Sequence, residues 1–325
     1  MTTATIVMYH VVQPAGSGIL EQLKGLDRRA FAGQVAYIRR HYTPVHLNDL
    51  ASAVTDGQTL PPNPIVLTFD DGYACHAHVV APILAETGVP ATFFPVASAL
   101  LDRTVLNVNK IQCILAVADV QPLVTRIESA IDRDTAGASA GYRERWFNAS
   151  RWDPPEVVYV KRLLQHALPD RVREPLVDEL FRTLVTADER ALADDLYMTV
   201  GDVQQLAGAG MTIGAHADRH VRLSLLSRAD QATEINGALR VLDAAGVSKT
   251  RFVYSYANGA YNDDSIELLR ERGCAVAVST RPDLAMLNPQ TLLALPRLDT
   301  NDLPVSADAE PNGWTQRAGT AQNAS

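Results

Sequence analysis

The sequence predicts an α/β protein built as a closed or nearly closed β/α barrel. Short apolar runs typical of buried strands recur along the chain, and helical patterns separate most of them. Strands that alternate with helices form parallel sheets, and seven or eight such units are enough to close a barrel. Polar residues suited to catalysis follow several of these strands, and barrel enzymes carry their active sites at the carboxyl ends of their strands.

The predicted elements follow one another along the chain with one long interruption. Strand-like runs cover residues 4–9, 44–47, 64–69, 91–96, 211–214, 252–256, 275–279 and 292–297, and the run at 44–47 is the weakest. Helical patterns cover residues 31–38, 79–84, 234–242 and 266–269. The interruption, residues about 101–200, carries helix-like segments at 110–118, 121–131, 155–167 and 172–193.

This interruption is too long for a simple loop. We interpret it as a helical insertion, either a cap beside the active-site mouth or a peripheral decoration. Residues 1–305 are therefore predicted to form one catalytic barrel containing the insertion at about 101–200. Residues 306–325 turn to small and polar side chains and are predicted to form a flexible tail.

The run at 64–69 ends in two adjacent carboxylates, Asp70 and Asp71, followed by Gly72. Carboxylates held together at the rim of a core raise each other's pKa unless a cation absorbs the charge or one of them carries a proton. One metal ligand and one base is the natural division of roles. A solvated Asp-Asp-Gly turn is the alternative.

Two histidines follow the strand-like run at 211–214. His216 and His220 lie four residues apart, so their imidazoles share one face if the chain turns helically there. With Asp71 they supply two nitrogens and one oxygen and leave positions on the metal open, as in a catalytic zinc site. Non-haem iron oxygenases use the same ligand types, so the metal's identity stays open.

These motifs resemble those of the polysaccharide deacetylase (NodB-homology, carbohydrate esterase 4) family of metal-dependent N-deacetylases. The matching segments are Thr-Phe-Asp-Asp-Gly at 68–72, the His-x-x-x-His at 216–220 and the aromatic-rich segment at 254–262. The resemblance runs from about residue 5 to about residue 300, apart from the insertion. Among the (β/α)7–8 barrels that the seven or eight predicted units allow, the resemblance implies a distorted barrel with seven strands.

The N-terminal pair Tyr9-His10 places the resemblance more narrowly. It is similar to the motif that opens the branch including the poly-N-acetylglucosamine deacetylases, where this His serves as the general acid. Many other family members take the acid from a His near the C-terminal end, but no His follows His220 here. The chain also has Ala217 where the family often has Ser or Thr, and Ala257 where it has Pro.

The resemblance implies a role for each candidate residue of the metal site. Asp71, His216 and His220 would hold a divalent metal, most readily Zn²⁺, with Co²⁺, Ni²⁺, Mn²⁺ or Fe²⁺ as alternatives. Asp70 would be the base. His10 would be the acid, the alternative being a polar residue that caps the first strand.

Two further candidates lie at predicted strand ends. A backbone N–H near Tyr256 would help to hold the oxyanion, as the family's third motif implies. Arg297 would pair with Asp70 and keep it ionised, because a guanidinium lowers the pKa of a neighbouring carboxylate. The alternative for Arg297 is an arginine that ties the barrel end to a loop.

The leading hypothesis is a hydrolase that removes the N-acetyl group from an N-acetylated sugar, as an oligosaccharide, lipid-linked or nucleotide-linked precursor. A deformylase or amidase acting on a small acylated metabolite is one alternative. A catalytically idle carbohydrate-binding relative is another. The predicted partner is an N-acetylated saccharide, and the insertion offers a contact for a homodimer.

Composition narrows the partners and the compartment. A formal net charge of −8 argues against binding nucleic acid, which requires a basic face. No run of about 18 apolar residues occurs, so no membrane span is expected. Residues 1–12 lack the features of a secretory signal, and the three cysteines are widely spaced, so we expect a cytoplasmic protein.

Overall fold

The structure is a computed structural model that describes residues 2–13, 23, 25–150 and 153–323. These residues form two compact units. The first contains residues 2–13, 25–104 and 194–323, and the second contains Leu23 and residues 105–193. All of the candidate site residues belong to the first unit.

The strands of the first unit form one seven-stranded sheet and two two-stranded sheets. They are β1 (Thr3–Tyr9), β2 (Val12–Gln13), β3 (Leu26–Asp27), β4 (Thr43–Pro44), β5 (Pro64–Asp71), β6 (Ala91–Pro95), β7 (Thr212–Ile213), β8 (Val253–Ser255), β9 (Val276–Val278), β10 (Ala285–Met286) and β11 (Leu298–Asp299). β1 pairs in parallel with β5 and β11. β5 pairs with β6, and β6 with β7, also in parallel.

The ring of parallel strands closes through a separate pair. β8 pairs with β9, and single parallel bridges join Ala215 to Tyr254 and Val278 to Leu295. The ring therefore runs from β1 through β5, β6, β7, β8 and β9 to the Leu295–β11 segment and back to β1. This seven-membered ring, continuous only through single bridges at two points, confirms the predicted distorted β/α barrel.

The helices lie between these strands and within the second unit. In chain order they are α1 (Arg28–His41), α2 (Leu47–Thr55), α3 (Ala81–Thr87), α4 (Ala97–Leu101), α5 (Asn107–Val117), α6 (Val120–Asp134), α7 (Ala138–Trp146), α8 (Pro155–Arg162), α9 (Asp170–Leu184), α10 (Glu189–Leu196), α11 (Val200–Gly208), α12 (Arg228–Ala238), α13 (Arg240–Ala245), α14 (Asp263–Glu271) and α15 (Gly313–Asn323). Single π-turns cover 76–80 and 163–167, and 3₁₀ turns cover 223–225, 257–259, 292–294 and 300–302. Among the described residues, no helix is both long and apolar enough to cross a membrane.

β5 is the middle strand in the order β10-β1-β5-β6-β7 of the seven-stranded sheet. All eight of its residues are buried, as in a parallel strand covered on both faces. The Phe69 ring stacks between those of Tyr9 on β1 and Phe93 on β6, with centroids 4.9 and 5.0 Å away. This aromatic layer supports the next two residues of β5, Asp70 and Asp71.

Some predicted elements are wrong in extent. The last predicted strand, 292–297, is a 3₁₀ turn followed by the single bridge of Leu295, and β11 begins only at Leu298. Pro296 lacks the N–H that a continuous ladder requires. The pattern at 234–242 is divided between α12 and α13, and the pattern at 172–193 between α9 and α10.

The flexible tail predicted for 306–325 is also wrong for most of its length. Residues 313–323 form α15, and the side chain of Asn312 accepts a hydrogen bond from the Thr315 N–H at 3.0 Å. Tyr37 and Tyr42 both hydrogen-bond the Thr315 hydroxyl, at 2.7 and 2.9 Å. Contacts with the first helix region therefore hold α15 against the barrel, and composition alone does not reveal them.

Candidate active site

Asp70 and Asp71 are the last two residues of β5, at the carboxyl end of the strand. Asp71 and Gly72 both have left-handed backbone, with φ of 71° and 75°. A Cβ at Gly72 would lie 2.7 Å from the Pro95 Cβ and 2.9 Å from its Cα, so only glycine lets the chain turn so close to β6. Left-handed backbone is strained for a non-glycine residue such as Asp71, and such strain is often found at functional sites.

The two histidines follow β7 in an irregular loop. Ala217 and His220 have left-handed backbone, with φ of 58° and 59°. The expected helical turn is therefore wrong, because two left-handed residues, and not helical periodicity, bring the imidazoles of His216 and His220 together. Their ring centroids are 5.0 Å apart.

Hydrogen bonds to residues of three helices hold this loop in place. The carbonyl of Asp218 accepts the Ser98 N–H at 2.9 Å, and its carboxylate accepts the Arg240 guanidinium at 2.7 Å. Arg219 donates its N–H and its Nε–H to Glu234, at 3.1 and 2.6 Å, and Glu234 is buried. These anchors lie on three helices, α4, α12 and α13, whose packing against the loop no sequence motif indicates.

The two imidazoles face Asp71. Its Oδ1 lies 3.4 Å from His216 Nε2 and 3.3 Å from His220 Nε2. Ligand atoms of the three residues all lie within 4.8 Å of one another. Asp71 Oδ1 is buried and accepts no hydrogen bond from any described residue. A buried carboxylate oxygen without a donor, opposite two imidazole nitrogens, fits a divalent cation with two nitrogen ligands and one oxygen ligand.

Neighbouring groups orient these ligand atoms. The Tyr73 hydroxyl donates to Asp71 Oδ2 at 3.0 Å, so Oδ1 is the oxygen turned toward the imidazoles. His216 Nδ1 lies 2.8 Å from the Ser255 carbonyl, which only accepts, so Nδ1 carries a hydrogen and Nε2 is the nitrogen that could bind a metal. Such supporting bonds fix the tautomer and orientation of metal-binding side chains. Tyr73 and Ser255 are the supporting residues that sequence reasoning missed, although both lie within or beside its motifs.

The electrostatics of the cluster suit a cation. Burial raises the pKa of Asp71, but His220 and His216 more than offset this and hold it well below its usual range. Burial lowers the pKa of His220 to about 4, so its imidazole is neutral at pH 7. Burial also opposes the charged form of His216, yet Asp70 and Asp71 leave its pKa raised. Asp70 and Asp71 stabilise positive charge on His216, and they would stabilise a bound metal cation in the same way.

Asp70 has a different environment from its neighbour. The guanidinium of Arg297 donates to Asp70 Oδ1 and Oδ2, at 2.9 and 2.6 Å, and Ser255 Oγ donates to Oδ2 at 3.2 Å. Arg297 also donates to Thr68 and to the Ser279 carbonyl. Burial raises the pKa of Asp70, but Arg297 and then His216 outweigh it and lower it to about 2.

The remaining two candidates, His10 and Tyr256, differ in their exposure to solvent. His10 is exposed just beyond β1, and its imidazole is among the groups that lower the pKa of both Asp70 and Asp71. Tyr256 is buried, its backbone N–H donates to the Val278 carbonyl, and its hydroxyl donates to the Leu293 carbonyl. Tyr256 itself therefore offers no free donor to an oxyanion.

Comparison with known proteins identifies a family and related structures. A family model described as polysaccharide deacetylase matches residues 57–129 and 189–277, and the gap between the two segments lies within the helical insertion. These segments include Asp70, Asp71, His216 and His220. The chain belongs to the polysaccharide deacetylase family.

A more particular likeness is to the poly-beta-1,6-N-acetyl-D-glucosamine N-deacetylase of Escherichia coli (strain K12). The two are 40% identical over 70 residues, which is 21% of this chain. The match spans only 10% of the length of that relative.

Solved structures share the fold along almost the whole chain. The Streptococcus pyogenes deacetylase PplD in complex with acetate has a TM-score of 0.56 and 15% identity, and the match covers 99% of this chain and 97% of that one. IcaB from Ammonifex degensii has a TM-score of 0.55 and 16% identity, with 98% and 97% covered. At these identities the likeness establishes the barrel fold alone.

Proposed function

We propose that this protein is a metal-dependent hydrolase that removes the N-acetyl group from an N-acetylated saccharide. The observation that carries the proposal is the buried Asp71 Oδ1, which has no hydrogen-bond donor among the described residues and faces His216 Nε2 and His220 Nε2. The adjacent Asp70 and the exposed His10 supply the two proton-transfer groups that amide hydrolysis requires. Membership of the family and the likeness to a poly-N-acetylglucosamine deacetylase support the saccharide substrate.

Each side chain of the cluster has a distinct part in this proposal. Asp71, His216 and His220 hold a divalent ion, which when bound lowers the pKa of a water molecule toward about 7 and polarises the acyl oxygen. Asp70 accepts a proton from the attacking water. Arg297 keeps Asp70 ionised and fixes the direction of its carboxylate through two hydrogen bonds.

His10 provides the proton for the departing amine. An amide nitrogen leaves poorly unless it is protonated, so a positioned acid contributes strongly to the rate. His10 is exposed, and this accessibility to a substrate from solvent supports the proposed role. The chain has no His after His220 that would take this role instead.

The test is metal analysis together with an acetate-release assay. Purified protein is assayed with N-acetylglucosamine oligomers of different linkage, with nucleotide-linked N-acetyl sugars and with N-formylated amines. Acetate release that depends on the divalent metal supports the proposal. Release of formate without acetate would assign the site to a deformylase, and no turnover of any substrate by the metal-loaded protein would contradict an enzymatic function.

A further inference from the structure

The segment that carries His10 is fixed by side chains from the far side of the Asp-Asp-Gly turn. His76 Nε2 lies 2.7 Å from the His10 carbonyl oxygen, and the Val12 N–H donates to Cys75 Sγ at 3.4 Å. The Val11 carbonyl, between them, accepts the Leu26 N–H at 2.9 Å. The backbones of the three residues His10, Val11 and Val12 are thus each held by one of these hydrogen bonds.

His76 is fully buried and fixed in orientation. Its ring packs edge-on against Phe69 and Tyr73, with centroids 5.4 and 5.8 Å away, and lies 5.8 Å from the ring of Phe93. A carbonyl only accepts hydrogen bonds, so Nε2 of His76 carries the hydrogen and donates it to His10. Burial lowers the pKa of His76 to about 4, so the ring stays neutral near pH 7.

The chemistry of this position is unusual for a core residue. The other ring nitrogen of His76, Nδ1, is buried and has no hydrogen-bond partner within the part of the chain that the structure describes. A buried polar atom without a partner is destabilising, whereas an apolar side chain of similar size would fill the same space without this cost. Among the residues that the structure describes, the bond to the His10 carbonyl is the one hydrogen bond of His76, and an apolar side chain cannot replace it.

We propose that His76 is a positioning residue for His10. Its hydrogen bond to the His10 carbonyl holds the backbone from which the exposed imidazole reaches toward Asp70 and Asp71. This inference rests on the proposed function, because it assigns His76 to the orientation of the acid. His76 is a polar residue, and its burial against the aromatic layer is a finding of the structure.

The test is a double-mutant cycle on the full chain loaded with metal. His76→Leu removes the donor, and we expect kcat for acetate release to fall roughly 10- to 100-fold with metal content unchanged, because misplacement by about 1 Å has such an effect. In the His10→Ala background the same substitution should change kcat less than about twofold, since the group that it positions is gone. An equal loss of rate in both backgrounds would show that His76 does not act through His10.

Two amide variants keep the test decisive if the leucine variant folds poorly. His76→Gln places an N–H near the position of Nε2 and should retain most of the rate, whereas His76→Asn is too short to reach the His10 carbonyl and should resemble the leucine variant. Equal kcat for the Gln and Asn variants would overturn the proposal. His78→Ala removes an exposed imidazole two residues along and is the matched control with wild-type kcat.

These outcomes are separate from those that test the proposed function. If the wild type and the His78→Ala control release acetate, the enzymatic function stands whatever the His76 variants do. If neither releases acetate, the proposed function fails before the role of His76 is reached.

Discussion

Arg297 and Asp70 form a buried pair with two hydrogen bonds, of 2.9 and 2.6 Å, that joins the last segment of the barrel to the end of β5. A carboxylate held this firmly is a weak base, and burial would raise its pKa if the guanidinium were absent. The pair therefore sets the pH range over which Asp70 is ionised.

Replacing Arg297 should change the acid side of the pH–rate profile. In the wild type, the pKa of Asp70 is about 2, so the base stays ionised far into the acid range. In Arg297→Gln, burial is no longer offset by a guanidinium, the pKa rises, and activity is lost at higher pH as the solution is acidified. Arg297→Lys keeps the positive charge, so it should lose activity at a lower pH than Arg297→Gln as the solution is acidified. Profiles of kcat/KM for the three proteins check this, and superimposable acid limbs would count against the pairing role.

The two adjacent carboxylates should respond differently to the same substitution. Asp70→Asn removes the proton acceptor, so kcat should fall about 10²- to 10⁴-fold while the metal stays bound. Asp71→Asn removes a ligand and should lower the metal content of the purified protein. Elemental analysis and acetate release are measured on both variants. Loss of metal from Asp70→Asn to the same extent as from Asp71→Asn would exclude the proposed division of roles.

Tyr73 should influence metal affinity without contacting the metal. Tyr73→Phe removes the hydroxyl that donates to Asp71 Oδ2 and leaves the ring in place. Supporting groups of this kind are worth roughly 10- to 100-fold in metal affinity. Competition with a chelator measures the dissociation constant, and Tyr142→Phe, in the second unit, is the control. Equal affinity for the wild type and Tyr73→Phe would show that the hydroxyl has no such role.

His10→Ala should slow the reaction and leave the metal site intact. Loss of a positioned acid lowers kcat by about 10²- to 10⁴-fold, and His10 is not among the three residues that face one another as ligands. Single-turnover rates and metal content of the variant are compared with those of the wild type. Undiminished activity would remove His10 from the role of acid.

The parts of the site that the sequence predicts are those set by strand ends. The carboxylates of Asp70 and Asp71 follow one predicted strand, and Arg297 ends another. Because the ends of parallel strands meet at one rim of a barrel, the predicted topology brings these three residues close together. The family resemblance also indicated His10 as a site residue. His10 directly follows β1, so it too lies at the end of a parallel strand. The cytoplasmic location, the homodimer and the cap role of the insertion stay predictions.

The parts that the sequence does not predict depend on backbone strain and on distant packing. The left-handed residues Ala217 and His220 replace the expected helical turn, and no local pattern of apolar residues indicates such backbone. His76 is polar, yet aromatic rings from β5 and β6 pack against it and it is buried. The anchors of the histidine loop, such as Glu234, lie on helices whose packing a single sequence does not reveal.

The burial of His76 should also be visible in the stability of the protein. Its pKa is about 4 in the folded protein against an ordinary value of 6.5, so the unfolded chain binds a proton at higher pH than the folded one. The sign follows directly: the contribution of a neutral His76 is fully present above pH 6.5 and is lost as the pH falls from 6.5 toward 4. The loss amounts to roughly 3 kcal/mol of unfolding free energy at most, from a pKa difference of about 2.5 units.

Denaturant unfolding between pH 7.5 and 4 measures this effect. His76→Gln removes the titrating group and keeps the donor, so its stability should fall less steeply between pH 6.5 and 4 than that of the wild type. Because His220 titrates equally in both proteins, the difference between the two curves isolates His76. His78→Ala should keep the wild-type slope, since it removes an exposed imidazole. Parallel curves for the wild type and His76→Gln would mean that His76 is not buried as a neutral group.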